Sequence, residues 1–328
     1  MKKIKTAIVG ATGYTGLELI KILLNHPYFE INELYSTEGG GNISDVYPSL
    51  KGVFGKEIKK AEIKKIAKND LVFLAVPHKA AMSYVKELMK TDIKIVDFSA
   101  DYRLNQKNYE DYYCAHLDPA NLENAAYGLP EIFRDFIKNK KLIANPGCYP
   151  TATILGLYPF LDYIENDVFV DAKSGVSGAG KKLSETTHFV TDNENFFAYN
   201  PVKHRHSIEI AEKTGLNVTF VPQLLPITRG MQISIYAKLK KDIDPLEILK
   251  ETYKSEEFIR IKNSPVKIKD VAGTHFCDIF AMKNGNMLFI NSVIDNLLRG
   301  ASSQAVTNAN ILFNLPENTA LPKIAYVP

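Results

Sequence analysis

Ile4-Lys5-Thr6-Ala7-Ile8-Val9 runs directly into Gly10-Ala11-Thr12-Gly13-Tyr14-Thr15-Gly16, and behind the glycines Leu17, Leu19, Ile20, Leu23 and Leu24 recur at helical spacing. An apolar run, a glycine turn and an amphipathic helix make one strand–turn–helix unit. In that setting the glycine loop presents backbone N–H groups at a helix N-terminus, where a pyrophosphate is favoured. The spacing is G-x-x-G-x-x-G rather than G-x-G-x-x-G, and tight strand-to-helix turns use glycine for its own sake, so the loop counts only in context. That context continues downstream, where apolar runs at 31–35, 70–77, 93–98 and 141–145 alternate with helix-length segments. Right-handed βαβ units and a doubly wound parallel sheet are expected, with chemistry just beyond the strands' carboxyl ends.

Near residue 150 the pattern changes. Strands at 168–173, 218–221, Met231–Leu239 and 287–292 are separated by longer, irregular connections, which predicts an α+β region on a mainly antiparallel sheet. Residues 299–313 read as a helix with Ala301, Ala305, Ala309 and Leu312 on one face, suited to packing back on the first domain. The lysine-rich stretch 56–68 reads as a solvated helix face or hairpin surface. At about 100–200 residues per domain, a chain of 328 residues holds two.

Lys and Arg number 40 against 37 Asp and Glu, a net charge of +3, with 45% hydrophobic and 23% charged residues. These are ordinary globular values, and no basic cluster interleaved with aromatics argues for nucleic acid. No apolar run nears the roughly 18 residues that span a bilayer, and the lysines at the start lead into a strand with no cleavage signal. A cytoplasmic location without a membrane partner is therefore expected. Three cysteines, Cys114, Cys148 and Cys277, are too sparse for a disulfide scaffold.

Asn145-Pro146-Gly147-Cys148-Tyr149-Pro150-Thr151 follows a strand, and Pro150 suits a first helical turn. Cys148 then sits at a helix N-terminus, whose N–H groups and dipole favour thiolate and can hold an oxyanion. A buried, inert thiol is the alternative, and it is the reading given to Cys114 and Cys277. In His204-Arg205-His206-Ser207-Ile208-Glu209, His206 and Glu209 share a helix face, which offers a base and a carboxylate to orient it. A zinc site from the two histidines lacks further ligands nearby, so no metal is expected. Arginine occurs only six times, yet Arg103, Arg205, Arg229 and Arg299 fall in punctuated motifs, as expected for anionic substrate groups or for local salt bridges. Lys173-Ser174-Gly175-Val176-Ser177-Gly178-Ala179-Gly180 is a second amide-rich loop that could take an anion or acyl group. After the second strand, Ser36-Thr37-Glu38 leaves NAD and NADP open.

Residues 10–16, 73–78, 97–103, 127–131, 143–151, 173–180, 204–209, 226–230 and 295–301 together resemble the N-acetyl-gamma-glutamyl-phosphate reductase family of arginine biosynthesis, nearly end to end. The resemblance implies a two-domain reductase of the aspartate-semialdehyde dehydrogenase type that uses NADPH on a small acyl phosphate, as a homodimer or homotetramer. Residues 1–147 plus 299–328 would bind the dinucleotide, and 148–298 would serve catalysis and oligomerisation. Carried onto this chain, Cys148 is the nucleophile and His206 the acid/base, with Glu209 as its ion-pair partner. Gly10, Thr12, Gly13, Tyr14, Thr15, Gly16, Ser36, Thr37, Ser177, Gly178, Asn296 and Gly300 fall to the cofactor. Asn145, Ser174, Gly175, His204 and Arg229 fall to the substrate, and Arg103 to its phosphate. Glu38 departs from the cationic or small residues that many relatives carry there. An enzyme for another acyl phosphate, aspartyl or carrier-bound aminoadipyl, would share these catalytic residues. A dinucleotide-sensing scaffold would be expected to have lost Cys148 or the His206–Glu209 pair.

Overall fold

The computed structural model describes residues 3–326, and the chain separates into two compact units, Met1–Pro146 with Ala301–Leu321 and Gly147–Gly300 with Pro322–Pro328. Unit 1 carries β1 (Ile4–Val9), β2 (Phe29–Ser36), β3 (Ile58–Lys60), β4 (Leu71–Leu74), β5 (Lys94–Asp97), β6 (Ala125–Tyr127) and β7 (Leu142–Ala144) in the order β3-β2-β1-β4-β5-β7-β6. Every neighbouring pair is parallel. The strand order reverses between β1 and β4, the switch point at which open α/β sheets bind ligands. β4 is buried along its whole length, which is why its sequence is a continuous apolar run.

The helix Tyr14–Leu24 buries Leu19, Ile20, Ile22 and Leu23 in unit 1. The helix Ser303–Leu312 also belongs there, but it is buried on every side, and a π turn, Leu298–Ser302, precedes it. Its polar side chains find partners inside: Gln304 and Asn308 each donate to Gly128 O at 2.9 Å, and Asn310 Oδ1 meets His26 Nε2 at 3.0 Å. Buried amides require such partners, and a reading by apolar face alone misses them.

Two further segments carry detail beyond the sequence pattern. Residues 56–68 hold the edge strand β3 and the short helix Ile63–Ile66, with Ile58 and Ile66 buried and Lys59 paired with Glu33 at 2.9 Å. Lysines along an edge strand also discourage pairing with a foreign sheet. The stretch 299–328 does not stay whole with the dinucleotide unit. From Pro322 the chain joins unit 2, because His275 N donates to Pro322 O at 2.8 Å and Tyr326 N to Ala272 O at 3.2 Å.

Unit 2 carries β8 (Ile164–Gly175), β9 (Phe197–Ala198), β10 (Asn217–Leu225), β11 (Met231–Leu239), β12 (Ile259–Ile261), β13 (Cys277–Asn284) and β14 (Met287–Ile294) in the order β12-β13-β14-β11-β8-β10-β9. The central pairs β13–β14, β14–β11 and β11–β8 are antiparallel, as is β10–β9, whereas β8–β10 and β12–β13 are parallel. β13 is absent from the sequence reading. Its buried Asp278, held by Arg260 at 2.6 Å and Lys262 at 3.3 Å, interrupts the apolar pattern. Against this sheet lies the helix Cys148–Leu157. Gly156 lets it approach, since a Cβ there would stand 3.2 Å from Ile235 Cδ1 and 3.3 Å from Ile290 Cγ2. Among the described residues no helix is long and apolar enough to cross a membrane.

Candidate active site

In unit 1 the chain leaves β1 at Gly10, whose φ is +89° and whose added Cβ would lie 2.1 Å from Ala75 O. No side chain is possible there. Gly16 is equally constrained, with a Cβ 2.5 Å from Gly10 O and 2.8 Å from Ala11. Gly13 is different: the nearest atom to its Cβ would be 3.5 Å away. Two glycines thus serve the turn, while the third keeps space open over the helix Tyr14–Leu24. That helix has no side-chain N-cap and no acidic residue in its first turn, so its N–H groups suit an anion such as a pyrophosphate.

The loop is braced from behind. Tyr47 OH donates to Thr12 O at 2.7 Å and Ser302 Oγ to Thr15 O at 2.9 Å. Gly10 N and Ala11 N donate to Tyr35 O at 2.9 and 3.2 Å, fixing the end of β2 beside the glycines. Ser36 Oγ accepts Gly39 N at 2.9 Å, while Thr37 and Glu38 are exposed.

After β5 the chain forms a hydrogen-bonded polar network. Ser99 donates to the Asp97 carboxylate through N at 3.0 Å and Oγ at 2.7 Å, and Lys79 N and Tyr109 OH donate to Asp101 Oδ1, each at 2.8 Å. Burial, with Asp101 nearby, pushes Asp97 up to about 7. Arg103 is buried with Nη2 donating to Phe98 O at 2.5 Å. Asn145, expected at the substrate, is buried instead among unit 1 partners, donating to Ala301 O at 3.1 Å and accepting from Asn308 Nδ2 at 3.0 Å.

In unit 2, Cys148 opens a helix whose other residues are all buried, and it alone is half-buried. Because Pro150 has no N–H, the amides of the first turn are those of Cys148 and Tyr149. Gly147 N donates to Glu209 Oε1 at 3.0 Å, and Glu209 is only 1% exposed. Glu209 and His206 share the first turn of the helix His206–Thr214. The helix His206–Thr214 is therefore fastened to the turn that carries the thiol.

Tyr149 meets His204 and His206 edge-on, with ring centroids 5.9 and 5.7 Å away, and its hydroxyl lies 3.1 Å from that of Tyr199. His204 Nδ1 accepts His206 N at 3.2 Å, and its ring packs on Tyr199 and Phe220. Burial holds His204 down to about 4, so near neutral pH it is an uncharged acceptor that seats the start of the helix His206–Thr214. On another side stands Gly300, where an added Cβ would lie 2.6 Å from Cys148 Cβ.

The remaining motifs interlock. Gly175 N donates to Gly230 O at 2.9 Å, Val176 N to Ile227 O at 3.0 Å and Ser177 N to Thr228 O at 3.2 Å. Asn296 ties both strands of this contact, accepting Gly230 N at 2.6 Å and donating to Ser177 Oγ at 3.0 Å. A Cβ on Gly178 would stand 3.0 Å from Ser174 Oγ.

Comparison with known proteins decides the family. Residues 5–140 match the model of the semialdehyde dehydrogenase NAD binding domain, and residues 148–296 that of the semialdehyde dehydrogenase dimerisation domain. The chain is 55% identical to an N-acetyl-gamma-glutamyl-phosphate reductase of Sulfurovum sp., covering 99% of this chain and 100% of the relative. It is 55% identical to that of Wolinella succinogenes with both chains fully covered, and 42% identical to that of Caldicellulosiruptor saccharolyticus over 97% of this chain and 98% of the relative. The chain belongs to the N-acetyl-gamma-glutamyl-phosphate reductase family. Aspartate semialdehyde dehydrogenases share its fold. That of Vibrio cholerae superposes with a TM-score of 0.71 at 15% identity over 96% of this chain and 99% of the other, and that of Candida albicans with 0.67 at 15% over 94% and 98%.

Within this family member, two of the motif arginines stand against buried partners of the protein itself. Arg229, assigned to substrate, pairs through Nε with Asp295 at 3.1 Å. Asp295 is fully buried and also accepts Gly273 N at 2.7 Å, Leu297 N at 2.9 Å and Leu298 N at 3.0 Å. A carboxylate so deeply buried demands a cation. Arg299 is completely buried with Nη1 2.5 Å from His275 Nε2, and burial together with this cation keeps His275 well below the usual histidine range. Arg205 is exposed. Among the described residues, no group of three or more His, Cys, Asp or Glu stands together for a metal ion. The aromatic box of Tyr149, Tyr199 and Phe220 and the anchor Asp295 escaped the sequence reading. For Asp295, the one available signal was its position directly before Asn296.

Proposed function

We propose that this chain reduces N-acetyl-L-glutamyl 5-phosphate to N-acetyl-L-glutamate 5-semialdehyde and inorganic phosphate with NADPH, in the cytoplasm, as a step of arginine biosynthesis. The observation that carries the reading is the convergence of the 147–149, 174–178, 204–209, 227–230 and 295–300 stretches around one half-buried cysteine at a helix N-terminus. Relatives covering the whole chain carry that activity in their names.

The thiolate of Cys148 attacks the acyl carbon. A C–S bond forms, the C–O bond to phosphate breaks, and inorganic phosphate departs with the bonding pair. Amides at the start of the helix Cys148–Leu157 hold the carbonyl oxygen as it gains charge. The loop of Gly10, Gly13 and Gly16 would hold a nicotinamide dinucleotide, which when bound would supply the hydride that reduces the thioester to a thiohemiacetal. His206 manages the proton at the thiohemiacetal oxygen, and collapse releases the aldehyde and restores the thiolate. Seated by His204 and Tyr149, His206 has little freedom to leave this position, which conserves the geometry that proton transfer needs.

The working form is a homo-oligomer, a dimer or a pair of dimers. Supporting this, Phe169, Tyr236, Phe289 and Met282 are successive cross-strand neighbours on one face of the second sheet, and Phe169, Tyr236 and Met282 are 57%, 41% and 49% exposed. So apolar a row is unusual for a monomer's surface. A second copy of this chain covers it, in keeping with the description of the matching domain. Light scattering then finds an oligomer that Tyr236→Lys dissociates; a monomeric wild type would refute this part.

The assay runs in reverse, measuring phosphate-dependent reduction of NADP and NAD with N-acetylglutamate semialdehyde or aspartate semialdehyde. Activity with the acetylated aldehyde and NADP supports the reading. Activity confined to aspartate semialdehyde would keep the thioester route and move the substrate.

A further inference from the structure

We propose that Lys60 recognises the 2′-phosphate of NADPH and so sets the preference for the phosphorylated dinucleotide; the inference rests on the NADPH reading above. Where a Rossmann-type unit takes NAD, an acidic residue at the end of the second strand binds the ribose 2′-hydroxyl. Here β2 ends at Ser36, so that acceptor is missing from the strand end. Glu38, two residues on, is exposed and would repel a phosphate.

The sheet supplies a cation from the neighbouring strand instead. β3 lies parallel to β2 with Lys60 in register with Ser36, about 4.8 Å away by strand spacing. Ala61 N donates to Ser36 O at 3.0 Å. Gly39 packs so closely that a Cβ there would stand 2.5 Å from Lys60 N. Lys60 is therefore built into the turn that follows β2, at the carboxyl edge of the sheet. The bonds from Gly10 N and Ala11 N to Tyr35 O hold the same strand end beside the glycine loop. A ribose reaching from the pyrophosphate over Ser36 would bring its 2′ position to this turn.

The other lysines of the run are committed or distant. Lys59 is paired with Glu33 at 2.9 Å and Lys56 donates to Asn32 O at 2.9 Å. Lys64 follows on the next helix. Lys60 is exposed, and among the described residues its ammonium has no partner. With the exposed hydroxyl of Thr37 and the Ser36 hydroxyl on the adjacent strand, it completes a set of donors suited to a phosphate dianion. The signal was invisible in sequence order, because twenty-odd residues separate Lys60 from the β2 end that it serves.

The test is direct binding of NADPH and of NADH to the full chain by calorimetry, without turnover, for the wild type, Lys60→Ala, Lys60→Glu and the control Lys64→Ala. Lys60→Ala is expected to weaken NADPH about tenfold and Lys60→Glu about a hundredfold, in line with loss of a charge-assisted contact. NADH should stay within about twofold throughout, and Lys64→Ala should change neither. If NADPH preference survives Lys60→Glu, or if both dinucleotides weaken equally, the role of Lys60 is refuted while the NADPH reading stands. A wild type that binds NADH as tightly as NADPH overturns the NADPH reading itself, and this inference with it.

Discussion

The two units prepare for their ligands with different materials. Unit 1 offers backbone and space: an uncapped helix N-terminus, two glycines locked into the turn and a third that keeps the approach open. Unit 2 offers side chains, each held by a buried partner, as Glu209 is by Gly147 N and Arg229 by Asp295. A backbone cradle depends on what is absent from a position, whereas a covalent site depends on which atom is present. Substitutions should therefore part the two functions cleanly.

The sharpest separation is at the thiol. On the proposed route Cys148→Ala removes the atom that would form the thioester, so turnover should fall by at least about 10⁴-fold, while dinucleotide binding by calorimetry stays at the wild-type value. Residual activity above a few per cent would end the covalent route. His206→Asn comes next and should cost about 10²–10⁴-fold, the range for a general acid–base. Its pH–rate profile should lose one limb. A slower enzyme with an unchanged profile would assign His206 to the architecture alone.

Glu209 refines the comparison within unit 2. Resemblance makes it the ion-pair partner of His206, yet its carboxylate also accepts the Gly147 N–H at the start of the Cys148 helix. Glu209→Gln keeps an oxygen for Gly147 N but removes the charge, while Glu209→Ala removes both and leaves a buried donor unsatisfied. If fastening the thiol turn is the main role, Gln should keep activity within about tenfold and Ala should lose about 10²-fold, as displacement of reacting groups does. Equal losses, with the pH profile displaced in both, would assign the effect to the charge.

In unit 1 the glycines divide in the same manner. Gly10→Ala, at positive φ and against Ala75 O, should lower stability by roughly 1–3 kcal/mol. Gly13→Ala meets nothing closer than 3.5 Å, so its melting temperature should hold while dinucleotide affinity drops about tenfold, because a methyl occupies the approach to the helix amides. A Gly13→Ala variant that melts early but binds normally would show that the loop is only a turn.

Legibility divides along the same line. The helix-terminal place of Cys148, the shared turn of 206 and 209 and the strand–helix junction at the glycine loop could be read from sequence because each is a local pattern. What could not be read is whatever depends on distant partners. In sequence Arg229 and Arg299 are as suited to a local salt bridge as to a substrate anion, and only folding brings Asp295 and His275 against them. β13 was hidden by Asp278, whose burial makes sense only with Arg260 from β12 and the neighbouring Lys262 beside it. Asn145 lies in the most informative motif of the chain, yet the helix that begins some 150 residues later takes up its amide.

The mildest expected effect concerns acid. Each unit holds a histidine at about 4 instead of the usual 6.5, His26 in unit 1 and His204 in unit 2, in both cases chiefly through burial. Their ring nitrogens are already committed as acceptors: His26 Nδ1 takes Tyr28 N at 3.2 Å and Phe29 N at 3.0 Å, and His204 Nδ1 takes His206 N at 3.2 Å. Protonating either would turn an acceptor into a donor facing another donor. With folded values below the unfolded one, the unfolded chain binds these protons first as pH falls. Their stabilising contribution is complete above about pH 6.5, declines through the window down to about 4, and is lost below it. His275, held lower still beside Arg299, gives unit 2 a second group of the same sign. Urea midpoints measured between pH 4.5 and 7.5 should rise with pH, and His204→Gln or His26→Gln should each flatten part of that slope whatever it does to absolute stability. The same slope in both variants as in the wild type would mean that other groups govern acid unfolding, and that the two units differ in their chemistry but not in what acid does to them.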